Sequence, residues 1–318
     1  MFVLLLAFSA PPWADLMEQA KRQESLGEYR QALQTLRSAL NTAQREPVTL
    51  HQLGATLNNL GGVLISLGEF VEAENTLARS LQMLQGETPG IEWTWPLNHL
   101  AMLYRATGRP RDAEAAHRRA LEARQRTYGE NHPAVGRSHG NLGAVLIDLR
   151  RFDEAEDCLG KALRIFRASP GMQSDEPTVL VNLAVVYTQR GDLPGARTAA
   201  EEAVQVLERT AGVAHPSTGQ ALLTLGRIRL KQRHYEAAQV LLGKSAQILS
   251  DAFPAGHALL ADALFAHAET LRKCGEKRAA KELERKASAM VRGRPAENMG
   301  RYRVSVTELK TELKASKQ

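Results

Sequence analysis

Small residues recur along the chain at fixed distances from seven short turns. The segments 25–33 and 66–74 read SLGEYRQAL and SLGEFVEAE, and five later segments follow the same frame, with 40 to 42 residues between successive turns. A period of this length has room for two helices joined by the turn. The turn positions are Gly27, Gly68, Gly108, Arg150, Gly191, Arg233 and Gly275. The pattern therefore predicts seven helix-turn-helix repeats.

Small side chains mark the places where these helices are expected to touch. Five of the seven turn positions are glycine, which favours the left-handed conformation that ends a helix. Small residues also stand seven residues before and twelve residues after each turn position. Five residues after the turn position, alanine stands in every repeat: Ala32, Ala73, Ala113, Ala155, Ala196, Ala238 and Ala280. A bulky residue at such a contact would cost about 1–3 kcal/mol by overpacking, so close helix packing is predicted.

This frame resembles the tetratricopeptide repeat (TPR), and more narrowly its longer form of about 42 residues found in kinesin light chains. An aromatic residue two positions after the turn (Tyr29, Phe70, Phe152 and Tyr235) adds to the resemblance. The resemblance implies an all-α fold, a right-handed TPR superhelix (α-solenoid) of about seven helix-turn-helix repeats over residues 14–293. It also implies a concave groove lined by the first helix of each repeat. Residues 1–13 and 294–318 lie outside the array.

Polar residues occupy the positions that the resemblance places in this groove. An amide side chain both donates and accepts hydrogen bonds, so a row of asparagines can pair with the backbone of an extended peptide. The candidates are Asn58, Asn59, Asn98, His99, Arg105, Asn141, Asn182 and Thr188. In the alternative interpretation, these asparagines only bond between neighbouring helices. Because Thr224 and Ala266 replace asparagine in later repeats, we expect the row to fade toward the C-terminus.

Two histidines precede prolines at repeat junctions. His132–Pro133 and His215–Pro216 lie two repeat periods apart, and proline is favoured in the first turn of a helix. A metal site would need the histidines to converge, whereas stacked repeats hold them apart. The pattern predicts helix starts, with no metal and no cofactor. The two cysteines, Cys158 and Cys274, lie far apart without a Cys/His cluster, so neither a disulfide nor a zinc site is predicted.

One short motif raises the question of catalysis. GRSHG at 136–140 matches the G-x-S-x-G pattern of serine hydrolases, with Ser138 as the nucleophile. That pattern needs a strand before the serine, whereas the repeat frame places Ser138 within a helix. We therefore predict a protein that is not an enzyme and takes no small-molecule substrate.

Positive charge is concentrated at the C-terminal end. The 318 residues carry a net charge of +6, and residues 272–318 alone hold 14 Lys and Arg against 6 Asp and Glu. Residues 294–318 could cap the array, because terminal repeats need a polar outer face. They could instead bind nucleic acid or an anionic surface. Capping is favoured and nucleic acid disfavoured, since no nucleic-acid motif accompanies the charge.

The first ten residues, MFVLLLAFSA, form an apolar run that is too short to span a membrane. They resemble the apolar region of a signal peptide, but no basic residue precedes them. Either the natural chain starts further upstream and the protein is exported to the periplasm, which we favour, or the run packs on the first helices of a cytoplasmic protein.

The function predicted from these observations is a non-catalytic scaffold or adaptor for protein–protein interaction. It would bind an extended peptide segment of a protein partner in the groove, without a transmembrane span. The alternatives are binding of nucleic acid or an anionic surface through the basic end, and a serine hydrolase that uses Ser138.

Overall fold

The computed structural model describes residues 12–43, 48–86, 91–169, 171–172, 175–254 and 256–292. Within these ranges the chain forms fourteen α-helices and no strand. It divides into two compact units, Met1–Ala123 and Arg124–Gln318, and the division falls inside one helix. Residues 1–11 and 294–318 lie outside the described ranges, so the signal-peptide, capping and anion-binding predictions made for them stay predictions.

The first unit is a series of paired helices. Along the first five helices, the two helices of a pair pack on each other, and each second helix packs on the first helix of the next pair. The first helices of the second and third pairs also contact each other directly. The helices are α1 Trp13–Ser25, α2 Tyr29–Ala43, α3 Leu50–Leu67, α4 Phe70–Gly86, α5 Thr94–Ala106 and α6 Pro110–Tyr128, which continues into the second unit.

The second unit repeats the same arrangement in four further pairs. Its four first helices contact one another in chain order, and the second helices pack on them. In this unit, Asn141, Asn182 and Thr224 keep exposed or partly exposed positions on the first helices. The helices are α7 Pro133–Asp148, α8 Phe152–Ala168, α9 Glu176–Arg190, α10 Leu193–Thr210, α11 Pro216–Lys231, α12 Tyr235–Ala252, α13 Ala258–Lys273 and α14 Lys277–Arg292.

All seven predicted turn positions adopt the left-handed conformation. Five are glycines, and the other two are Arg150 with φ 59° and Arg233 with φ 63°. Left-handed backbone is costly for a residue with a side chain. The two arginines therefore show that the position in the repeat, rather than the residue type, decides the backbone conformation there.

The small-residue frame is confirmed by burial. All seven alanines that follow the turns are fully buried, at 0% exposure. A Cβ atom at Gly143 would lie 2.6 Å from Cγ of Leu159, and one at Gly226 would lie equally close to Cγ of Leu242. Gly61 faces Leu77 in the same way. These glycines are required because a leucine of the paired helix occupies the space of their missing side chain.

Buried polar groups in this frame are also satisfied in a repeated way. The hydroxyl of Ser80 donates to the carbonyl oxygen of Gly54 at 2.7 Å, and that of Ser245 donates to Gly219 at 2.6 Å. Both serines are fully buried, at the position where other repeats have alanine. Because each hydroxyl has an acceptor on the paired helix, burying it costs little.

Candidate functional site

Two of the predicted groove residues bind each other. The side-chain oxygen of Asn58 lies 2.8 Å from Nδ1 of His99, joining α3 to α5. Asn58 is only 6% exposed, and its amide nitrogen donates to the side-chain oxygen of Asn59 at 3.2 Å. A Cβ atom at Gly62 would lie 3.3 Å from Nε2 of His99, so the glycine leaves room for the imidazole. The structure therefore shows that Asn58 bonds to a neighbouring helix, which is the alternative interpretation given above for the groove asparagines.

Three other asparagines keep polar atoms available. Asn59 on α3, Asn141 on α7 and Asn182 on α9 occupy the same position, nine residues before their turns. Asn141 is exposed, and the other two are partly buried. None of the three donates a side-chain hydrogen bond to another described residue. Their amide N–H groups can therefore pair with a ligand.

The remaining predicted residues have mixed environments. The side-chain oxygen of Asn98 is buried and accepts no hydrogen bond from the described residues. Arg105 is partly buried near the end of α5. The hydroxyl of Thr188 donates to the carbonyl oxygen of Ala184 on its own helix at 2.7 Å. Its hydrogen is thus engaged locally, which leaves the hydroxyl oxygen as an acceptor.

Sequence reasoning missed two apolar residues on the same face of α5. Trp95 is 40% exposed and Met102 is 37% exposed. They share a helix face with Asn98 and His99, because residues at i, i+3, i+4 and i+7 lie on one side of a helix. The ring of His51 on α3 meets the indole of Trp95 edge-on, with 6.2 Å between ring centroids. The helical spacing relative to His99 was the signal that could have identified them.

The position of the groove asparagines is occupied by Thr224 and Ala266 in the last two first helices. The hydroxyl of Thr224 donates to the carbonyl oxygen of Gln220 at 3.2 Å, and Ala266 is 4% exposed. An ion pair between Arg227 on α11 and Asp262 on α13 joins these helices instead. The polar groups there bond within the protein.

A recurring tyrosine–carboxylate contact links successive repeats in both units. Tyr104 on α5 lies beside Glu74 of the preceding helix, and Tyr187 on α9 lies beside Glu156 in the same way. Burial and the neighbouring carboxylate raise the pKa of both tyrosines, so both phenols stay protonated. The guanidinium of Arg109 lies 4.3 Å from the Tyr104 ring centroid and donates to Glu74 at 2.9 Å. These contacts hold neighbouring repeats together.

The histidines at the repeat junctions are helix caps. Nδ1 of His132 accepts a hydrogen bond from the backbone N–H of Ala134 at 3.1 Å, and His215 caps α11 in the same way at 3.2 Å. Pro133 and Pro216 occupy the first helical positions, as predicted. The imidazole therefore replaces the hydroxyl or carboxylate that usually caps a helix.

A third histidine cap was not predicted because no proline follows it. Nδ1 of His257 accepts from the N–H of Leu259 at 3.1 Å and caps α13. Phe253 stacks on His257 at 4.3 Å between ring centroids, as Tyr128 stacks on His132 at 4.4 Å. Stacking on a residue four positions earlier orients the imidazole toward the helix start.

Ser138 lies in a setting unlike that of a hydrolase nucleophile. It is 1% exposed within α7, and no strand precedes it in the described chain. Its hydroxyl accepts from Arg124 at 2.8 Å and donates to the carbonyl oxygen of Ala134 at 3.2 Å. The hydroxyl thus connects α6 to α7, and its burial keeps it from an external substrate.

Cysteine and metal chemistry add little to the site. Cys158 is buried in α8, Cys274 caps the end of α13, and neither forms a disulfide. Across the described ranges, no group of three or more His, Cys, Asp or Glu side chains is placed to hold a metal ion. No helix in the same ranges has the length and apolar character needed to cross a membrane.

Comparison with a protein-family model gives a match over most of the chain. The model is described as tetratricopeptide repeat and matches residues 23–86, 94–168 and 175–251. Together these ranges contain α2 to α4, α5 to α8 and α9 to α12 almost entirely.

One curated relative shares part of the sequence. A stretch of 95 residues is 30% identical to the clustered mitochondria protein homolog of Brugia malayi. The stretch covers 30% of this chain and 6% of that protein, so the chain spans a small part of the relative's length.

Solved structures share the fold at low sequence identity. TPR-like repeats of a Podosopora anserina kinesin light chain are 19% identical, with a TM-score of 0.53 over 64% of this chain and 97% of that chain. The apo form of RapI is 13% identical, with a TM-score of 0.69 over 88% of this chain and 98% of that chain. Aspartyl phosphate phosphatase F from Bacillus subtilis is 14% identical, with a TM-score of 0.59 over 90% of this chain and 84% of that chain. At such identities the likeness shows the fold alone.

Proposed function

Because the chain belongs to the tetratricopeptide repeat family, we propose that it is a non-catalytic scaffold that binds an extended segment of a partner protein through exposed and partly exposed residues of its first helices. The repeat fold supports protein interaction in general, and the family is typically non-catalytic. The segment, its conformation and the residues that hold it are our proposal.

The available amides of Asn59, Asn141 and Asn182 are the observation that carries the proposal. An extended peptide exposes N–H and C=O groups that need partners, and an amide side chain can serve both. The three asparagines occupy one position of the repeat, and their N–H groups bond to no other described side chain or backbone atom. Asn58 and His99 bind each other and so position Asn59.

Trp95 and Met102 would supply an apolar contact beside these amides. Exposed tryptophan is enriched among the residues that dominate protein interfaces, and methionine adapts to irregular partner surfaces. Since His51 supports the indole from α3, Trp95 is held in place before a partner arrives. A peptide with a bulky apolar residue next to the backbone held by Asn59 would fit this part of the surface.

The test compares partner capture by four baits in lysate of the native organism, read by quantitative mass spectrometry. The baits are the natural chain, the triple variant Asn59→Ala, Asn141→Ala and Asn182→Ala, the single variant Trp95→Ala, and a control. We expect the triple variant to lose partners that the natural chain captures. Trp95→Ala should weaken binding to the first unit about 30-fold, since truncating a central aromatic anchor costs about 2 kcal/mol.

The control removes three exposed asparagines that lie off the first helices: Asn41→Ala, Asn75→Ala and Asn131→Ala. It changes the same number of amide side chains and should capture the same partners as the natural chain. Equal recovery by the natural chain and the triple variant would contradict recognition by these amides.

A further inference from the structure

A row of like charges runs along α14, the last described helix. Lys277, Lys281 and Arg285 stand at i, i+4 and i+8, and all three are exposed; we call them the α14 cation row. Residues four apart on a helix are neighbours, and like charges at that spacing destabilise the helix. Elsewhere the same spacing joins opposite charges, as in Glu18–Arg22 and Asp157–Lys161. The α14 cation row therefore carries three positive charges that no acidic residue four positions away offsets.

The carboxylates near the α14 cation row bond to residues outside the row. Glu282 pairs with Lys286 at 3.1 Å, and Glu284 pairs with Arg272 of α13. Glu276 accepts a hydrogen bond from Gln239 at 2.8 Å. Within the part of the chain that the structure describes, none of the three cations of the row forms an ion pair. The chain beyond Arg292 offers little compensation, because residues 293–318 carry six basic residues against three acidic ones.

The opposite side of α14 is fixed in the core. Ala280 and Ala287 are fully buried, and Leu283 and Met290 pack against the apolar cluster formed with α12 and α13. The helix cannot turn this apolar side outward without unfolding that cluster. Only the charged side is available to a partner.

We propose that the α14 cation row binds an acidic segment of a partner protein in extended conformation. This surface goes beyond the proposed function, because it uses a second helix rather than the first-helix faces. Cations four residues apart on a helix are spaced by about 6 Å along its axis. Carboxylates at alternate positions of an extended peptide are spaced by about 6.8 Å, which nearly matches.

Other anionic partners fit the surface less well. A helix that lies on a membrane buries an apolar face in the lipid, whereas the apolar side of α14 is buried in the protein. Binding of single-stranded nucleic acid relies on aromatic platforms for base stacking, and α14 has no aromatic residue. An acidic polypeptide needs neither, since the charges of its side chains suffice.

The experiment measures binding of a fluorescein-labelled peptide of about twelve residues, with glutamate and serine alternating, to the full chain by fluorescence anisotropy. The variant changes Lys277→Gln, Lys281→Gln and Arg285→Gln, which removes charge from exposed positions and keeps good helix formers. We expect the variant to bind about tenfold more weakly than the natural chain at low salt, because each exposed ion pair contributes modestly. Circular dichroism checks that both are folded.

A matched control removes the same number of exposed cations from the first unit: Arg30→Gln, Arg79→Gln and Arg111→Gln. It should bind the peptide within about twofold of the natural chain, since it lowers the net charge equally but leaves the α14 cation row intact. Absence of peptide binding, or equal weakening in the control, would overturn the proposal. Tighter, row-dependent binding of polyuridylate or of phosphatidylserine vesicles would also overturn it, in favour of nucleic acid or membrane.

Discussion

The two units share one packing frame but present different first-helix faces. In the first unit, α5 exposes Trp95 and Met102 beside the bonded pair Asn58–His99. In the second unit, the large apolar residues that are exposed, namely Tyr128, Val213 and Val240, all lie off the first helices of the described chain. Those helices present amides and charged side chains instead. The small-residue frame thus determines how the helices pack, while the residues between the frame positions can differ and so determine which partner binds.

The largest expected effect comes from breaking the shared frame in each unit. Gly61→Val on α3 and Gly143→Val on α7 place a side chain where Leu77 or Leu159 already lies. We expect each change to lower the free energy of unfolding by about 1–3 kcal/mol through overpacking. Urea denaturation followed by far-ultraviolet circular dichroism measures both losses.

Two comparisons decide whether packing is the cause. A Cβ atom at Gly160 on α8 would meet nothing within 4 Å, so Gly160→Ala should be neutral or stabilising, by up to about 1 kcal/mol. Gly143→Val should cost less in a Leu159→Ala background than in the natural chain, because the shortened side chain leaves room for the valine. If Gly61→Val were tolerated while Gly143→Val was not, the two units would not share their packing.

The fold was predictable because packing restricts residue type at fixed positions. The alanines after the turns are fully buried in every repeat, and the glycines that face leucines admit no side chain. Because of these constraints, small residues recur at a fixed period, which can be recognised in a single sequence. His132 and His215 were predicted to start helices because Pro133 and Pro216 follow them.

The candidate site was predictable only in part. The position nine residues before the turn gave Asn59, Asn141 and Asn182 as candidates, but it did not reveal that Asn58 is buried against His99. Trp95 and Met102 were not predicted because helical spacing places them on the face of His99 but does not show that an apolar side chain there is exposed. Their exposure is apparent only in the folded chain.

A smaller effect is expected where the turns of the two units differ. The first unit has glycine at every left-handed turn position, whereas the second has Arg150 and Arg233 at two of its four. A left-handed backbone costs a non-glycine residue about 1–2 kcal/mol. Glycine avoids this cost, but it loses more conformational entropy on folding, which offsets part of the gain. Arg233→Gly should therefore raise the free energy of unfolding by about 0.5–1 kcal/mol.

Arg150→Gly should raise the free energy of unfolding by less than Arg233→Gly does. The Arg150 guanidinium lies over the Phe152 ring, 5.8 Å from its centroid, and the glycine variant would lose that contact. The reverse change in the first unit, Gly68→Arg, should cost about 1 kcal/mol. Urea denaturation of the three variants measures the differences. A loss of stability in Arg233→Gly would mean that its side chain contributes more than the backbone conformation costs.

The smallest effect is expected from acid, acting through two histidines of the second unit. Burial lowers the pKa of His139 on α7, with Lys161 acting in the same direction and Glu130 and Asp157 opposing it. Burial likewise lowers the pKa of His267 on α13. A histidine whose pKa is lowered by folding binds its proton more readily in the unfolded chain, so its contribution to stability is complete above about pH 6.5 and is lost as the pH falls below that value.

Denaturation at pH 7.5 and at pH 5.5 tests this for the natural chain and for His139→Gln with His267→Gln, since glutamine cannot take up a proton in this range. The natural chain should lose more stability on acidification than the double variant, and the difference isolates the two imidazoles from every carboxylate that titrates in both proteins. An equal loss in the two proteins would show that acid acts elsewhere. The second unit would then differ from the first in its exposed chemistry and its turns, but not in its response to pH.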